Sequence, residues 1–315
     1  MVNLQTQSKK QVGVLAEYIS KELSVFIVAE NRLDSHPANG GLRLLNYETD
    51  MECLQDGFKL ANLMKSKHEL YSTGFSGGKV VARSSNISLV KEKLISVTSQ
   101  LLEDLNGKMI TGCDLNTNEK DMNELYKLTP HVLAALNSDV DASKATAMGV
   151  IGAFEAYQKC FPSDLSNGVL VHGCGSVGSI VASELVKKDI KTFVVDIDIE
   201  RTHISGAISL GDSKKWYENN FDVILPCSIS GLINTHNSQF ILNTKAIISA
   251  ANGPFSNDVI PDKLLKSNVV IIPDPLVNAG AVIVDSIEKY APDAWRRAKS
   301  ERVYEFVQDQ VRNKC

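Results

Sequence analysis

Val169 to Asp196 reads VLVHGCGSVGSIVASELVKKDIKTFVVD, and no other stretch restricts the fold as tightly. A short apolar run enters Gly173, Gly175 and Gly178, and an apolar-periodic segment leaves them. The β-rich run Thr192-Phe193-Val194-Val195 then ends at Asp196. Three glycines at this spacing mean little alone. A strand before them, a helix after them and an acid about 20 residues on predict a dinucleotide-binding βαβ unit. Gly173 permits the tight turn, Gly175 lets backbone approach a pyrophosphate, and Gly178 lets helix lie against strand. The pyrophosphate then sits at the helix N-terminus, where unpaired N–H groups and the helix dipole favour an anion. Asp196 accepts from the ribose hydroxyls and repels a 2′-phosphate, which predicts NAD. Arg201, five residues on, keeps NADP as the alternative.

The chain has 315 residues, enough for about two domains. A net charge of −4 argues against nucleic acid or an anionic membrane as the main partner. No run approaches the roughly 18 apolar residues of a membrane span, and the leading MVNLQTQSKKQVGVLAEY has no signal-peptide pattern. Cys53, Cys113, Cys160, Cys174, Cys227 and Cys315 are scattered without a C-x-x-C pair. That suits reduced thiols in a cytoplasmic protein and predicts no metal site.

Apolar spacing predicts a helix over 11–22, strands at 23–29 and 42–45, and an amphipathic helix over 50–67. A turn-rich segment, Asp34 to Gly41, separates the two strands. The glycine-rich turn Gly74-Phe75-Ser76-Gly77-Gly78 precedes a strand at 79–83. A helix over 88–105, a strand at 108–111 and a polar loop holding Asp114 follow, then a long helix over 141–160. Further strands at 221–225, 245–250 and 268–272 point to a parallel sheet covered on both faces. The loops Ala251-Asn252-Gly253 and Pro273-Asp274 follow the last two, where an open α/β sheet lines its ligand crevice. Helices over 278–290 and 292–313 finish the chain; the second, with Trp295, Tyr304 and Phe306, is expected to pack on the first domain. The expected fold is α/β with two domains. Residues 1–140, completed by helices in 285–315, form a substrate domain, and 141–284 form a Rossmann-type, doubly wound NAD domain.

Outside the dinucleotide fingerprint, Lys67, Lys79 and Asp114 stand out. A lysine held in a tight apolar turn beside a second cation has a lowered pKa and works as a base near neutral pH. Each taken singly also reads as a solvated surface lysine or an ordinary turn aspartate.

The joint pattern is more specific. Gly40-Gly41-x-Arg43, Lys67 twenty-four residues later, and Gly77-Gly78-Lys79 come first. Asp114 before Thr117 and Asp121-Met122, then Thr146-Ala147-x-Gly149-Val150, lead to the glycine loop. Pro226-Cys227, Ala251-Asn252 and Pro273-Asp274-x-x-Val277-Asn278-Ala279-Gly280 follow it. From about Asn39 to about Ser286 the chain resembles the glutamate/leucine/phenylalanine/valine dehydrogenases, closest in layout to the leucine/phenylalanine branch. These oxidatively deaminate L-amino acids. The resemblance implies that Lys67, with the Gly41 backbone, holds the substrate carboxylate. Lys79 activates water for attack on the iminium, and Asp114 shuttles protons to and from the amino group. It implies that Asn278 bonds the substrate amino or carboxylate group, and that Thr146 and Asn252 fix the nicotinamide carboxamide. Ser176, Val177, Ile197, Cys227, Ser228 and Ala251 complete the cofactor contacts. A cleft that closes between domains would supply the alignment hydride transfer needs.

The implied specificity pocket holds Asn39, Gly112, Val282 and Asp285. Polar groups there disfavour a leucine side chain. This leaves a polar or cationic side chain paired with Asp285, or a large aromatic one with a polar atom for which Gly112 leaves room. Asp285 turned away into a helix contact is the bland alternative. Ser76 and Asn116 replace usual glycines, and Ser143-Lys144-Ala145 replaces a usual Ser-Pro start, departures expected to shift loop geometry. The rival function is a catalytically silent relative that keeps the Rossmann domain as a dinucleotide sensor or scaffold. A homodimer is expected, since closed symmetric assemblies predominate among soluble enzymes.

Overall fold

The computed structural model describes residues 12–30, 36–136, 138–162, 164–211 and 214–315. The start of the leading segment read for a signal peptide, and Asp34-Ser35 of the turn-rich stretch, lie outside these residues. Among the described residues no helix is long and apolar enough to cross a membrane. The described residues divide into two compact units. One comprises the described part of Met1–Asn137 with Glu288–Ala291, and the other that of Ser138–Ile287 with Pro292–Cys315.

The first unit runs β1 (Val12–Ile19), β2 (Ser24–Glu30), β3 (Ala38–Asn39), β4 (Leu42–Leu45), α1 (Asp50–Tyr71), β5 (Ser76–Arg83), α2 (Lys91–Asp104), β6 (Met109–Ile110) and α3 (Glu119–Tyr126). Its sheet has the order β1-β2-β5-β3-β6, with β4 also on β5. The expected helix over 11–22 is instead the edge strand β1. It pairs antiparallel with β2 through a tight turn in which Ser20 N–H donates to Leu23 O. A periodic apolar run is ambiguous when short, Gly13 weakens a helix, and the fully buried β2 offers a ladder that decides the matter. α1 begins at Thr49, whose hydroxyl accepts from Glu52 N–H, and runs past the expected end to Tyr71. The glycine-rich segment also differs from a plain turn: the reversal lies at Ser72 and Gly74, both at positive φ, while Ser76, Gly77 and Gly78 already belong to β5.

The second unit runs α4 (Ala142–Cys160), β7 (Val169–His172), α5 (Gly178–Lys187), β8 (Thr192–Val195), β9 (Ile208–Ser209), β10 (Val223–Pro226), β11 (Ala246–Ile248), α6 (Val259–Lys266), β12 (Val270–Ile272), α7 (Asp274–Val277), α8 (Gly280–Tyr290), α9 (Pro292–Arg297) and α10 (Ser300–Lys314). The sheet order β12-β11-β10-β7-β8-β9 is parallel throughout, so the chain winds outward in both directions from the β7/β10 pair. That pair is the topological switch point, where such sheets bind ligands. α8 ends in residues of the first unit, where Glu288 accepts from Ala135 N–H and Tyr290 OH donates to Gly74 O. The expected single helix over 292–313 breaks into α9 and α10. α10, expected to pack on the first domain, lies along α4 of its own unit. Its Val303, Tyr304, Val307 and Val311 are buried, and a Cβ on Gly152 would stand 2.3 Å from Gln308 O. Glu155 of α4 fastens the pair by accepting from Gln308 and Arg312. Phe306, expected to pack, faces solvent.

Candidate active site

In the first unit the site grows from β5, which is flanked on both sides and so buries its central residues. Gly40 and Gly41 carry the chain from β3 to β4 along β5 at a separation no side chain allows. A Cβ on Gly40 would stand 1.9 Å from Gly78 O, and one on Gly41 would stand 2.4 Å from Cys113 O and 2.9 Å from the Asp114 Cβ. Gly41 therefore lets the Asp114 loop close onto the sheet. Thr117 clamps that loop: its hydroxyl accepts from Asp114 N–H at 2.9 Å and donates to Leu42 O at 2.7 Å.

Lys79 emerges from β5 only 5% exposed, and its Nζ lies 2.5 Å from Asp114 Oδ2. The same oxygen accepts from Arg43 Nε at 2.9 Å. Burial holds the Lys79 ammonium below the ordinary lysine range. Asp114 opposes that effect and the Arg43 charge reinforces it. Burial also penalises the Asp114 carboxylate, but Lys79 and Arg43 outweigh it and leave the acid well below the usual carboxylate range. A lysine that surrenders its proton easily beside a carboxylate that does not take it up has the chemistry a general base requires. Lys67 is buried near the end of α1, next to His68. The His68 ring bonds Thr73 Oγ1 at 2.7 Å and Asn39 O at 3.3 Å, and burial pushes its pKa down to about 4. Asn39 is itself fully buried on β3. Gly112 does not open room as expected: a Cβ there would meet Leu133 O at 2.3 Å, so its bareness serves the packing of two backbones.

The departures from the family pattern are absorbed locally. Asn116 adopts φ 58°, the left-handed region a glycine takes freely and asparagine tolerates, and its amide donates to Leu44 O. Ser76 lies in β5 with its hydroxyl donating to His36 O. At the start of α4, the Asp141 carboxylate accepts from Ser143 and Lys144 N–H, capping the helix without proline.

In the second unit the glycine loop joins β7 to α5. Gly173, at φ 96°, abuts Ser228 across the switch point, and a Cβ on Gly178 would stand 1.8 Å from Gly173 O. Over Gly175 nothing lies within 4 Å of a Cβ position. Turn, open approach and close helix–strand packing thus fall on Gly173, Gly175 and Gly178, the order expected for a pyrophosphate cradle. Exposed Ser176 and half-buried Val177 lead into the α5 N-terminus. Asp196 Oδ2 accepts from Cys174 N–H at 2.6 Å and Oδ1 from Asp198 N–H at 2.9 Å, so the acid braces the loop it serves. Burial works against ionisation of Asp196, but these N–H donors and Arg201 hold its pKa down. Arg201 itself pairs with Asp198 at 3.1 Å. Ile197, next to the acid, is 92% exposed. Ser228 Oγ bonds the His172 ring at 3.0 Å, beside half-buried Cys227. Asn278 donates to Ala250 O and to Asn252 Oδ1, both at 2.9 Å, and thereby orients Asn252 after Ala251. Thr146 donates to Ala142 O within α4. Val282 is buried and Asp285 half-buried on α8.

Residues 22–131 match the family described as Glu/Leu/Phe/Val dehydrogenase, dimerisation domain, and residues 194–314 match the one described as Glutamate/Leucine/Phenylalanine/Valine dehydrogenase. The phenylalanine dehydrogenase of Caldalkalibacillus thermarum is 31% identical over 290 residues, 88% of this chain and 78% of that one. The chain belongs to the glutamate/leucine/phenylalanine/valine dehydrogenase family. It is an amino acid dehydrogenase, an oxidoreductase acting on a CH–NH2 group. The leucine dehydrogenase of Geobacillus stearothermophilus is 29% identical over 90% of this chain and 79% of its own. The crystal structure of L-tryptophan dehydrogenase from Nostoc punctiforme superposes with a TM-score of 0.73 at 25% identity, covering 96% of this chain and 87% of that one. Of the charged groups bonded together around Asp114, Arg43 and Asp56 have no role assigned from the sequence. Arg43 stood inside Gly40-Gly41-x-Arg43, but its partners lie far away in sequence.

Proposed function

We propose that the protein is an NAD-dependent L-amino acid dehydrogenase whose substrate carries a large aromatic side chain with a polar atom, such as an indole N–H. The buried Lys79–Asp114 pair, with a lysine poised to give up its proton, carries the reading. Lys67 holds the substrate α-carboxylate as a point charge beside the Gly41 backbone. Lys79, neutral, takes a proton from the water that attacks the iminium carbon. Asp114, anionic in the resting site, takes the proton of the substrate nitrogen only transiently and returns it. NAD, when bound, supplies the hydride acceptor. Gly173, Gly175, Ser176, Val177 and Gly178 would hold its pyrophosphate and Asp196 its ribose, with Ile197 beside it. Cys227, Ser228, Ala251, Asn252 and Thr146 would line the nicotinamide side, and Asn278 acts there by fixing Asn252. The pairing of Arg201 with Asp198 supports NAD over NADP.

The resemblance to phenylalanine and L-tryptophan dehydrogenases supports the aromatic class. Asp285 favours a second reading, a cationic side chain. The catalytically silent alternative leaves Lys79 and Asp114, bonded to each other in the first unit, without a purpose. The dimerisation domain supports a homodimer, and six cysteines outside any disulfide suit the cytoplasm. NADH formation at alkaline pH with NAD and each of the twenty L-amino acids tests the proposal. Tryptophan or tyrosine is expected to lead. Preference for lysine or arginine would move the assignment to Asp285, and turnover of leucine and valine alone would end both.

A further inference from the structure

Four charged side chains from four segments share one small volume in the first unit. Lys79 of β5 and Arg43 of β4 meet on Asp114 Oδ2, at 2.5 Å and 2.9 Å. The other end of the Arg43 guanidinium donates from Nη1 to Asp56 Oδ2 of α1 at 3.0 Å, and Tyr47 OH donates to that same oxygen at 2.6 Å. We propose that Arg43 is a positioning residue of the reaction, holding Asp114 against Lys79 and assigning the one mobile proton of the pair to the lysine.

The charge count gives the reason. With Lys79 protonated, two cations face two carboxylates. When Lys79 gives up its proton to act as a base, Asp114, its side chain 20% exposed, loses one of its two cations. A lone buried carboxylate would take up that proton, since leaving it unpaired is costly. Arg43 cannot be deprotonated and keeps its bond to Asp114 throughout. It therefore lets the pair pass from Lys79 charged to Lys79 neutral while Asp114 stays an anion. The planar guanidinium reaches two carboxylates with separate N–H groups, which a lysine cannot do. Asp56 and Tyr47 fix its far end, so the guanidinium acts as a brace rather than a mobile counter-ion. Lys79 is faced by Asp114, Arg43 and Asp56, and Arg43 by Asp114, Asp56 and Tyr47. Behind them Cys53, its thiol pushed up to about 12 by burial, faces Asp50, Asp56 and Arg83 and stays neutral.

The inference rests on the dehydrogenase reading for its meaning, but its test does not need turnover. Protein carrying [ε-13C]lysine is titrated by NMR, with the Lys79 resonance assigned by its disappearance in Lys79→Ala. Arg43→Met removes a neighbouring cation and raises the Lys79 midpoint by about one pH unit or more, which lowers kcat about tenfold at a fixed pH on the rising limb. Arg43→Lys restores part of the shift. Asp56→Asn removes an anion and moves the midpoint the other way. An unchanged Lys79 midpoint in Arg43→Met overturns the proposal. Should that variant not fold, an unchanged or raised midpoint in Asp56→Asn does so. Shifts in both directions from a wild-type protein that deaminates no amino acid would keep the brace and remove the dehydrogenase assignment.

Discussion

At Gly178 a single added methyl would sit 1.8 Å from a backbone oxygen; at Lys79 the decisive atoms are the tips of charged side chains drawn from β4, β5, α1 and the Asp114 loop. The second unit shapes its cofactor loop with main chain, through positions where only glycine fits. The first unit shapes its chemistry with electrostatics, through groups that must be brought from afar and kept in balance. Backbone sites are written in a few adjacent letters and fail by clash. Charge networks are written across the chain and fail by mistuning. The two should therefore respond differently to the same kinds of perturbation.

The glycine loop should break sharply. Gly178→Val drives a branched side chain into the Gly173 carbonyl, so NAD binding measured by calorimetry should vanish and the second unit should melt earlier. Gly175→Ala meets open space, so the fold should be unchanged and only NAD affinity should fall, by about tenfold. Equal effects of the two substitutions would dissolve the contrast between packing glycine and approach glycine.

The lysine pocket should respond to pH. Because burial lowers the Lys79 pKa, kcat should rise with pH through a midpoint below the free-lysine value of about 10.4. Asp114 is held below the ordinary carboxylate range, so it should add no acid limb above about pH 4. The sign for stability follows. The depressed Asp114 pKa contributes stability above its unfolded value, and that contribution is lost as pH falls through the native one. A stopped-flow pH profile with a limb at the free-lysine value would contradict the pocket's electrostatics.

The smallest effect should come from Glu288. Burial raises its pKa to about 7, while its bond from Ala135 N–H works the other way. A raised carboxyl pKa favours the folded state when protonated, so stability is present below the unfolded value of about 4.3 and declines as pH rises toward 7. Glu288→Gln keeps an acceptor for Ala135 without the charge. It should raise Tm at pH 8 by about 2–4 °C, as about 1 kcal/mol does for a domain of this size. No gain at pH 8, or an equal gain at pH 4, would contradict it.

The contrast also explains how much the sequence disclosed. Gly173, Gly175, Gly178 and Asp196 were legible because strand, turn, helix and strand lie side by side in the chain and each glycine has a steric cause. Lys79 and Asp114 stand out singly in the sequence, but only the resemblance joins them, because nothing local links residues so far apart. Arg43 lay within a quoted motif, yet its bond to Asp114 spans 71 residues, and Asp56 on α1 had no motif at all. β1 was misread because its pairing with β2, rather than its own periodicity, decides its state. Gly112 shows that a missing side chain need not mean empty space, since the Leu133 carbonyl fills the place of its Cβ. The left-handed turn at Asn116 shows the converse, a substitution that alarms in sequence and is harmless in place.

The most direct test compares wild type with Lys79→Ala, following single-turnover NADH formation from the preferred amino acid at alkaline pH and NADH binding by fluorescence titration. Deamination is expected to fall by about 10²–10⁴, the range for loss of a general base, while NADH affinity stays within about twofold. Turnover surviving in Lys79→Ala at near wild-type rate would contradict it.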